Sequence, residues 1–181
     1  MFADECGIQE DINREHGRIQ DDQANLTKRG KSKAKRLMGL KTATKHKKTS
    51  IISGYAKLPY QEHYKYISPM KFYETCNTNT FLSWLEYNFV PDVIKLQKLY
   101  PENYVALVID NVSYHKNSKV REICDKYGII LVYQSTYSPD LNPIEPSWDH
   151  LKNEIRNQSY QPITFEEKLD NGINKITWDG C

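Results

Sequence analysis

Short apolar runs alternate with amphipathic stretches along the chain, and this order predicts a protein that mixes strands with helices. The clearest run is YVALVIDN at residues 104–111, which is too short for an ordinary helix and rich in β-branched residues. It predicts a strand buried on both faces of a sheet. A second run, IILVY, follows at 129–133, after a segment with apolar residues at helical spacing and Gly128 as its stop. Strand, helix and strand within thirty residues predict a βαβ unit with parallel pairing.

Two more strands and a helix are predicted before this unit. TSIISGYA at 49–56 is β-branched and apolar, which is typical of a strand. EHYKYISPM at 62–70 alternates in character, which predicts a paired strand with one solvent-exposed face. The segment 79–96 has its apolar residues at helical spacing, with Thr78 or Asn79 as the expected cap. Pro91 is expected to end or kink that helix.

Two helices are predicted near the end of the chain. The first should begin near Asn142, with Asn142 at the N-cap and Pro143 at the first helical position. Its apolar residues recur every three or four positions and predict one buried stripe. The stripe consists of Ile144, Trp148, Leu151 and Ile155. The second helix should begin after Thr164, where Glu167 three residues later completes a capping box.

Composition indicates a globular protein. The chain has 181 residues, of which 39% are hydrophobic and 27% are charged, and this length suits one domain of ordinary size. Its four cysteines are far apart and form no C-x-x-C pair, which favours a reducing compartment. No apolar run is long enough to cross a bilayer, and the first residues do not have the layout of a signal peptide. We therefore expect a soluble intracellular protein without a membrane partner.

The charge is unevenly distributed, although the formal net charge is only +2. The first 22 residues hold seven acids, whereas residues 23–61 hold eleven Lys or Arg and no acid. A basic block of this kind is suited to phosphate contacts, and a solvated loop is the alternative. We place the basic segment at 23–48. Its candidate DNA-contacting residues are Lys28, Arg29, Lys31, Lys33, Lys35, Arg36, Lys47 and Lys48.

Three carboxylates occupy positions at which they could meet. Asp110 closes the buried strand, Asp4 ends the short apolar start MFAD, and Glu145 lies in the first turn of a predicted helix. Taken singly, Asp110 could be a turn residue and Glu145 a helix cap. Because side chains alternate along a strand, Asp4 and Glu5 face opposite sides, and only one of them can share a site with Asp110. Together, the three acids would supply the oxygen ligands that Mg²⁺ and Mn²⁺ prefer.

Three sequence blocks carry a resemblance to a known family. FADECGI, VIDNVSYH and YSPDLNPIEPSWDHLK resemble the catalytic domain of DDE transposases of the mariner superfamily and its bacterial insertion-sequence relatives. The 34 residues between Asp110 and Glu145 match the spacing of that group. The resemblance implies an α/β, RNase H-like fold with a mixed central sheet flanked by helices. It also implies that Asp4, Asp110 and Glu145 are catalytic and hold two Mg²⁺ (or Mn²⁺) ions.

The resemblance further implies a function and partners. The expected activity is metal-dependent phosphodiester cleavage at transposon ends, followed by strand transfer into target DNA, by a homodimer on DNA. A truncated remnant that only binds DNA or a partner, and another RNase H-like nuclease, are the alternatives. Residues 1–181 are expected to form a single catalytic domain that is clipped at its N-terminus and lacks the family's helix-turn-helix domain. The expected location is the nucleoid-associated cytoplasm of a bacterium or the nucleus of a eukaryote.

Five further residues fall within the matched blocks. His115 is expected either to lie near the bound phosphate and contact DNA or to have a structural role in a turn. Asn111 matches the same block, and Asp140 is interpreted as a turn residue. Lys152 lies two turns beyond Glu145 and could contact DNA or pair with acids. Trp148 is expected to belong to the core.

Overall fold

The computed structural model describes residues 1–10, 48–135 and 141–180, together with the backbone of 16–18 and 36–38. Its main element is a five-stranded sheet in the order β5-β4-β1-β6-β7. The strands are β1 (Phe2–Gln9), β4 (Lys48–Lys57), β5 (Tyr64–Phe72), β6 (Val105–Ile109) and β7 (Ile129–Tyr133). β1, β4 and β5 pair antiparallel, whereas β6 runs parallel to both β1 and β7. The predicted mixed sheet and the parallel βαβ unit are confirmed.

A second, two-stranded sheet pairs β2 (His16–Arg18) with β3 (Arg36–Met38). Two of the candidate DNA-contacting residues lie in the described strands. Arg36 is the first residue of β3 and is described through its backbone alone, and Lys48 is exposed at the start of β4. The other candidate DNA-contacting residues of the basic segment lie outside the described residues. They are Lys28, Arg29, Lys31, Lys33, Lys35 and Lys47.

Helices cover both faces of the main sheet. On one face lie α1 (Thr78–Trp84), α2 (Val90–Leu99) and α3 (Ser118–Lys126), and on the other lie α4 (Ile144–Asn157) and α5 (Phe165–Ile176). This arrangement makes one prediction wrong, since β5 has no solvent-exposed face. Tyr66 and Ile67 point to opposite faces of β5, and both are fully buried. Within the described part of the chain, no helix has the length and apolar character needed to cross a membrane.

The helix predicted at 79–96 forms, but with a different start and a different middle. Its cap is Asn77, whose side chain accepts hydrogen bonds from the backbone N–H groups of Asn79 and Thr80. Pro91 does not end the helix. A π-helical turn, Leu85–Phe89, separates α1 from α2, and Pro91 lies in the first turn of α2. The helix continues through Pro91 because the π-helical turn just before it accommodates the hydrogen bond that proline cannot donate.

The other predicted helix boundaries agree closely with the structure. α3 is followed by Gly128 at a φ of 65°, a left-handed conformation that favours glycine. α5 begins with the predicted capping box between Thr164 and Glu167. α4 begins at Ile144 with Pro143 at its N-cap, so the prediction of Asn142 as the N-cap and Pro143 as the first helical residue was wrong by one position. Asn142 still contributes to this start, because its Oδ1 accepts a long hydrogen bond of 3.4 Å from the Ile144 N–H.

Candidate active site

The register of two parallel strands brings two aspartates to the same edge of the sheet. Phe2 of β1 pairs with Val108 of β6, and the strands run in the same direction. Asp4 lies two residues after Phe2 within β1. Asp110 lies two residues after Val108, immediately beyond the last residue of β6. The carboxyl end of β6 and the neighbouring part of β1 therefore each carry an aspartate.

Asp4 lies against the helix layer formed by α4. The Trp148 Nε1–H donates a hydrogen bond of 3.4 Å to Asp4 Oδ2, and the Trp148 ring stacks on Tyr66 with centroids 5.1 Å apart. Trp148 is 2% exposed, so the prediction that it belongs to the core is confirmed. Burial, together with the negative charges of Glu145 and Glu5, raises the pKa of Asp4 to about 7. In the metal-free protein, a negative charge on Asp4 is therefore unfavourable.

Glu145 is the second residue of α4 and is exposed to solvent. Its backbone N–H donates to the Asn142 carbonyl at 3.1 Å, which fixes its position at the start of the helix. In the described part of the chain, no hydrogen bond engages the Glu145 carboxylate, so the structure does not show the capping role considered from the sequence. Its charge nevertheless acts on Asp4. Because Trp148 of the same helix contacts Asp4, α4 and its residue Glu145 lie on the Asp4 side of the sheet.

Asp110 is held by two donors that meet one of its oxygens. His115 Nδ1 lies 2.6 Å from Asp110 Oδ1, and the Val112 N–H donates to the same oxygen at 3.2 Å. Burial would raise the pKa of Asp110, but these hydrogen bonds and the charge of His115 outweigh it and hold the pKa below its ordinary value. The Asp110 side chain remains 45% exposed. Asp110 is thus an ionised, oriented and accessible carboxylate.

His115 has a different environment from the one expected for a DNA contact. Its side chain is 0% exposed, so it cannot touch a phosphate in this arrangement, and the expected direct contact is not what the structure shows. The structural alternative fits better, because the ring packs against Phe81 and Tyr114. Burial would lower the pKa of His115, but its contacts with Asp110 and Glu5 raise it to about 9. His115 therefore acts on the site through Asp110.

Glu5 is the residue that sequence reasoning missed. It faces the side of the sheet opposite Asp4, as alternation predicted, yet its Oε1 lies 3.5 Å from His115 Nε2. Tyr114 O–H donates to Glu5 Oε2 at 3.3 Å, and the Cys76 thiol donates to Oε1 at 3.3 Å. Glu5 is thereby linked to Asp110 through one imidazole. The sequence signal that could have indicated this link is His115, five residues after Asp110. A turn between the two residues brings the chain back to the end of β6.

The remaining residues of the matched blocks have structural contacts. The Asn111 side chain donates to the Gln134 carbonyl and joins the ends of β6 and β7, in keeping with a turn role. The Lys152 side chain is 27% exposed, and its Nζ lies 3.7 Å from Asp149 Oδ1. This ion pair corresponds to the acid-pairing alternative for Lys152. Asp140 lies outside the described residues.

The donor chemistry at this edge suits a divalent cation. Carboxylate oxygens are the ligands that Mg²⁺ and Mn²⁺ prefer, and all three candidate ligands are carboxylates. The pKa of Asp4 is raised mainly by burial and, to a smaller extent, by the negative charge of Glu145. Among the described residues, no group of three acidic, histidine or cysteine side chains is close enough to enclose an ion. Asp4 lies in β1, Asp110 follows the end of the neighbouring β6, and Glu145 lies in the first turn of α4.

Comparisons with known proteins agree with this architecture. The family model for the DDE superfamily endonuclease matches residues 1–166. The Mos1 mariner paired-end complex with Mn matches with a TM-score of 0.56 and 16% identity, covering 97% of this chain and 51% of that one. A pre-cleavage Mos1 transpososome matches with a TM-score of 0.55 and 17% identity, covering 97% and 52% of the two chains. The Mos1 strand transfer complex matches with a TM-score of 0.52 and 17% identity, covering 97% and 50%.

These matches confirm the RNase H-like fold, a mixed sheet flanked by helices. The chain spans about half the length of the Mos1 chains that it matches. None of the curated protein sequences matches it. A family model that accounts for residues 1–166 of 181, together with this fold, is decisive: the chain belongs to the DDE superfamily endonuclease family.

Proposed function

We propose that this chain is the catalytic domain of a DDE transposase and that Asp4, Asp110 and Glu145 hold the divalent cations of its active site. The observation that supports this proposal is the parallel register of β1 and β6, which pairs Phe2 with Val108, each two residues before one of the aspartates. Glu145 supports it from the start of α4, where its charge acts on Asp4. The supporting resemblance is to a family of endonucleases.

The proposed reaction is phosphodiester hydrolysis at a transposon end, followed by attack of the freed 3′-OH on target DNA. Two divalent cations would activate the attacking oxygen and stabilise the leaving oxygen. The chain's own contribution is to orient the carboxylates. His115 and Val112 fix one oxygen of Asp110, and Trp148 holds Asp4 from the helix side. Glu145 has an exposed carboxylate that can turn towards the two aspartates.

The proposed cation is Mg²⁺ or Mn²⁺, with two ions in the working site. One of the matched Mos1 structures is described as a complex with Mn, and the carboxylate donors here are compatible with either metal. The proposed substrates are transposon-end DNA and target DNA, bound by a homodimer in the compartment that holds the host's DNA. The basic segment at 23–48 would contact the phosphate backbone without reading base sequence.

A cleavage assay tests this proposal. The substrate is DNA that carries the inverted repeats flanking the coding sequence, incubated with Mg²⁺ or Mn²⁺. We expect Asp4→Asn, Asp110→Asn and Glu145→Gln each to lose about 100-fold or more of the nicking rate, the scale of removing one group that stabilises a transition state. The matched controls are Asp125→Asn and Glu86→Gln, which alter exposed residues on α3 and in the π-helical turn and should leave the rate unchanged. Equal background nicking by the wild type and Asp110→Asn would refute catalysis by this chain.

A further inference from the structure

We propose that Glu5 is a positioning residue for the metal site and that it acts through His115 on the Asp110 carboxylate. This inference rests on the proposed role of Asp110 as a metal ligand. Glu5 would thus support the metal site from the face of β1 opposite to Asp4. The evidence is a chain of contacts that runs from Glu5 through one imidazole to one oxygen of Asp110.

The imidazole of His115 bridges two carboxylates. Its Nδ1 lies 2.6 Å from Asp110 Oδ1, and its Nε2 lies 3.5 Å from Glu5 Oε1. Each ring nitrogen thus faces a different acid, with Nδ1 at hydrogen-bond distance and the buried Nε2 at ion-pair distance. A histidine that orients a ligand through one nitrogen is typically fixed by the partner of its other nitrogen. Glu5 is in the position of that partner.

Packing leaves the imidazole little freedom to rotate. The ring is fully buried, with its centroid 4.2 Å from that of Phe81 and 4.6 Å from that of Tyr114. The Tyr133 O–H donates to the His115 carbonyl at 3.0 Å and fixes the backbone. Rotation of the ring would therefore displace aromatic side chains. The direction of Nδ1 towards Asp110 is set by this surrounding structure.

Glu5 is itself held in place. Its side chain is 15% exposed, and it accepts hydrogen bonds from Tyr114 and Cys76. A carboxylate this far from water is costly unless partners satisfy it. The three partners of Glu5 come from the loop before α1 and the turn after β6, so the carboxylate joins two segments beside the strand end. Its position is therefore built by the fold and is not that of a surface acid.

The consequence for Asp110 is a defined orientation. Both the His115 nitrogen and the Val112 N–H engage Oδ1. In the described part of the chain, no hydrogen bond occupies Oδ2. Because Oδ1 already accepts these hydrogen bonds, Oδ2 is the Asp110 oxygen available to bind a cation. Residues that orient metal ligands in this way typically contribute about 10–100-fold to metal affinity.

Two substitutions of His115 separate positioning from packing. Asparagine places its amide nitrogen near the position of Nδ1, whereas glutamine places its amide nitrogen near that of Nε2. His115→Asn therefore keeps a donor for Asp110 and loses the link to Glu5, and His115→Gln does the reverse. We measure Mn²⁺ affinity for the full chain without DNA, by electron paramagnetic resonance of the free ion. We expect His115→Gln, which removes the donor to Asp110, to lose about 100-fold and His115→Asn, which removes only the link to Glu5, to lose about tenfold.

Glu5→Gln completes a double-mutant cycle. In the wild-type background, we expect it to weaken Mn²⁺ binding by about tenfold, because His115 is no longer fixed. In the His115→Asn background, the same change should alter affinity by less than about twofold, because the link is already absent. Equal losses for His115→Asn and His115→Gln, or equal effects of Glu5→Gln in both backgrounds, would overturn the proposal.

The same assay distinguishes this proposal from the proposed function. If Asp110→Asn weakens Mn²⁺ binding while the Glu5 and His115 variants do not, only the positioning role is overturned. If Asp110→Asn leaves the affinity unchanged, both proposals fall. Should His115→Gln fail to fold, the imidazole proton NMR of the wild type and Glu5→Gln supplies a second measurement. We expect exchange to broaden the Nδ1–H resonance in Glu5→Gln, and an unchanged resonance would overturn the proposal.

Discussion

The two neighbouring aspartates should respond in opposite ways to loss of their charge. In the metal-free protein, burial raises the pKa of Asp4 to about 7. The pKa of Asp110 lies below its ordinary value, because hydrogen bonds from His115 and Val112 outweigh the effect of burial. Ionised Asp4 therefore destabilises the folded state, and ionised Asp110 stabilises it. Replacing each aspartate by asparagine should shift the free energy of unfolding in opposite directions.

The magnitude for Asp4 follows from its pKa. A rise from 3.8 to about 7 corresponds to at most roughly 4 kcal/mol. Folded protein binds this proton more tightly than the unfolded chain does, so stability falls as pH rises from about 4 to about 7. Asp4→Asn removes that cost, and its amide oxygen can still accept from Trp148. We expect the variant to be more stable at pH 8 by about 1–3 kcal/mol and similar to the wild type near pH 4.

Asp110→Asn should have the opposite effect. Its carboxylate contributes stability above its unfolded pKa, and that contribution is lost as pH falls through the lower folded pKa. Because the side chain is 45% exposed, solvent screening limits the loss at pH 8 to about 1 kcal/mol. Asp125→Asn, at an exposed position on α3, is the control and should change stability by less than about 0.5 kcal/mol.

Urea denaturation between pH 4.5 and 8.5 measures these effects, with EDTA present and with tryptophan fluorescence as the probe. Adding Mg²⁺ should then stabilise the wild type, by mass action, more than either variant. The reasoning would be refuted if Asp4→Asn destabilised the protein at pH 8, or if both variants shifted stability in the same direction.

Three further predictions concern the elements that support the site. Thr164→Ala removes the capping box with Glu167 and should cost about 1 kcal/mol in urea denaturation, and an unchanged midpoint would contradict it. Leu151→Ala leaves a cavity where α4 packs on the sheet, because the Leu151 side chain is fully buried, and it should cost about 2–5 kcal/mol by the same measurement. A loss under about 1 kcal/mol would contradict the described packing. Trp148→Phe removes the donor to Asp4 and should raise the pKa of that carboxyl further. Calorimetric titration should then show weaker Mn²⁺ binding at pH 7 but little change at pH 8.5, whereas equal loss at both pH values would contradict this explanation.

The sequence predicted the elements whose patterns are local. β6 and β7 were recognisable because continuous apolar runs too short for helices have few alternatives. The capping box of α5 was readable because both of its partners lie within four residues. Residue alternation also placed Asp4 and Glu5 on opposite faces correctly.

The missed features depend on contacts between distant segments. The exposed face predicted for β5 was wrong because the sequence pattern of one strand does not show that α4 and α5 cover it. The continuation of the helix through Pro91 depends on a π-helical turn whose Leu85 and Phe89 pack into the core. The link from Glu5 to Asp110 arises beyond the end of β6, where strand alternation no longer applies. Residues 71 to 110 positions apart form that cluster, and no local pattern reveals them.

The most direct test of the central claim is an anomalous difference map from crystals of the protein soaked in Mn²⁺. We expect a peak between the carboxylates of Asp4 and Asp110, with Glu145 turned towards it from the start of α4. We also expect the peak to disappear in crystals of Asp110→Asn. Absence of a peak at this edge of the sheet, at Mn²⁺ concentrations that support DNA nicking, would contradict the proposed site.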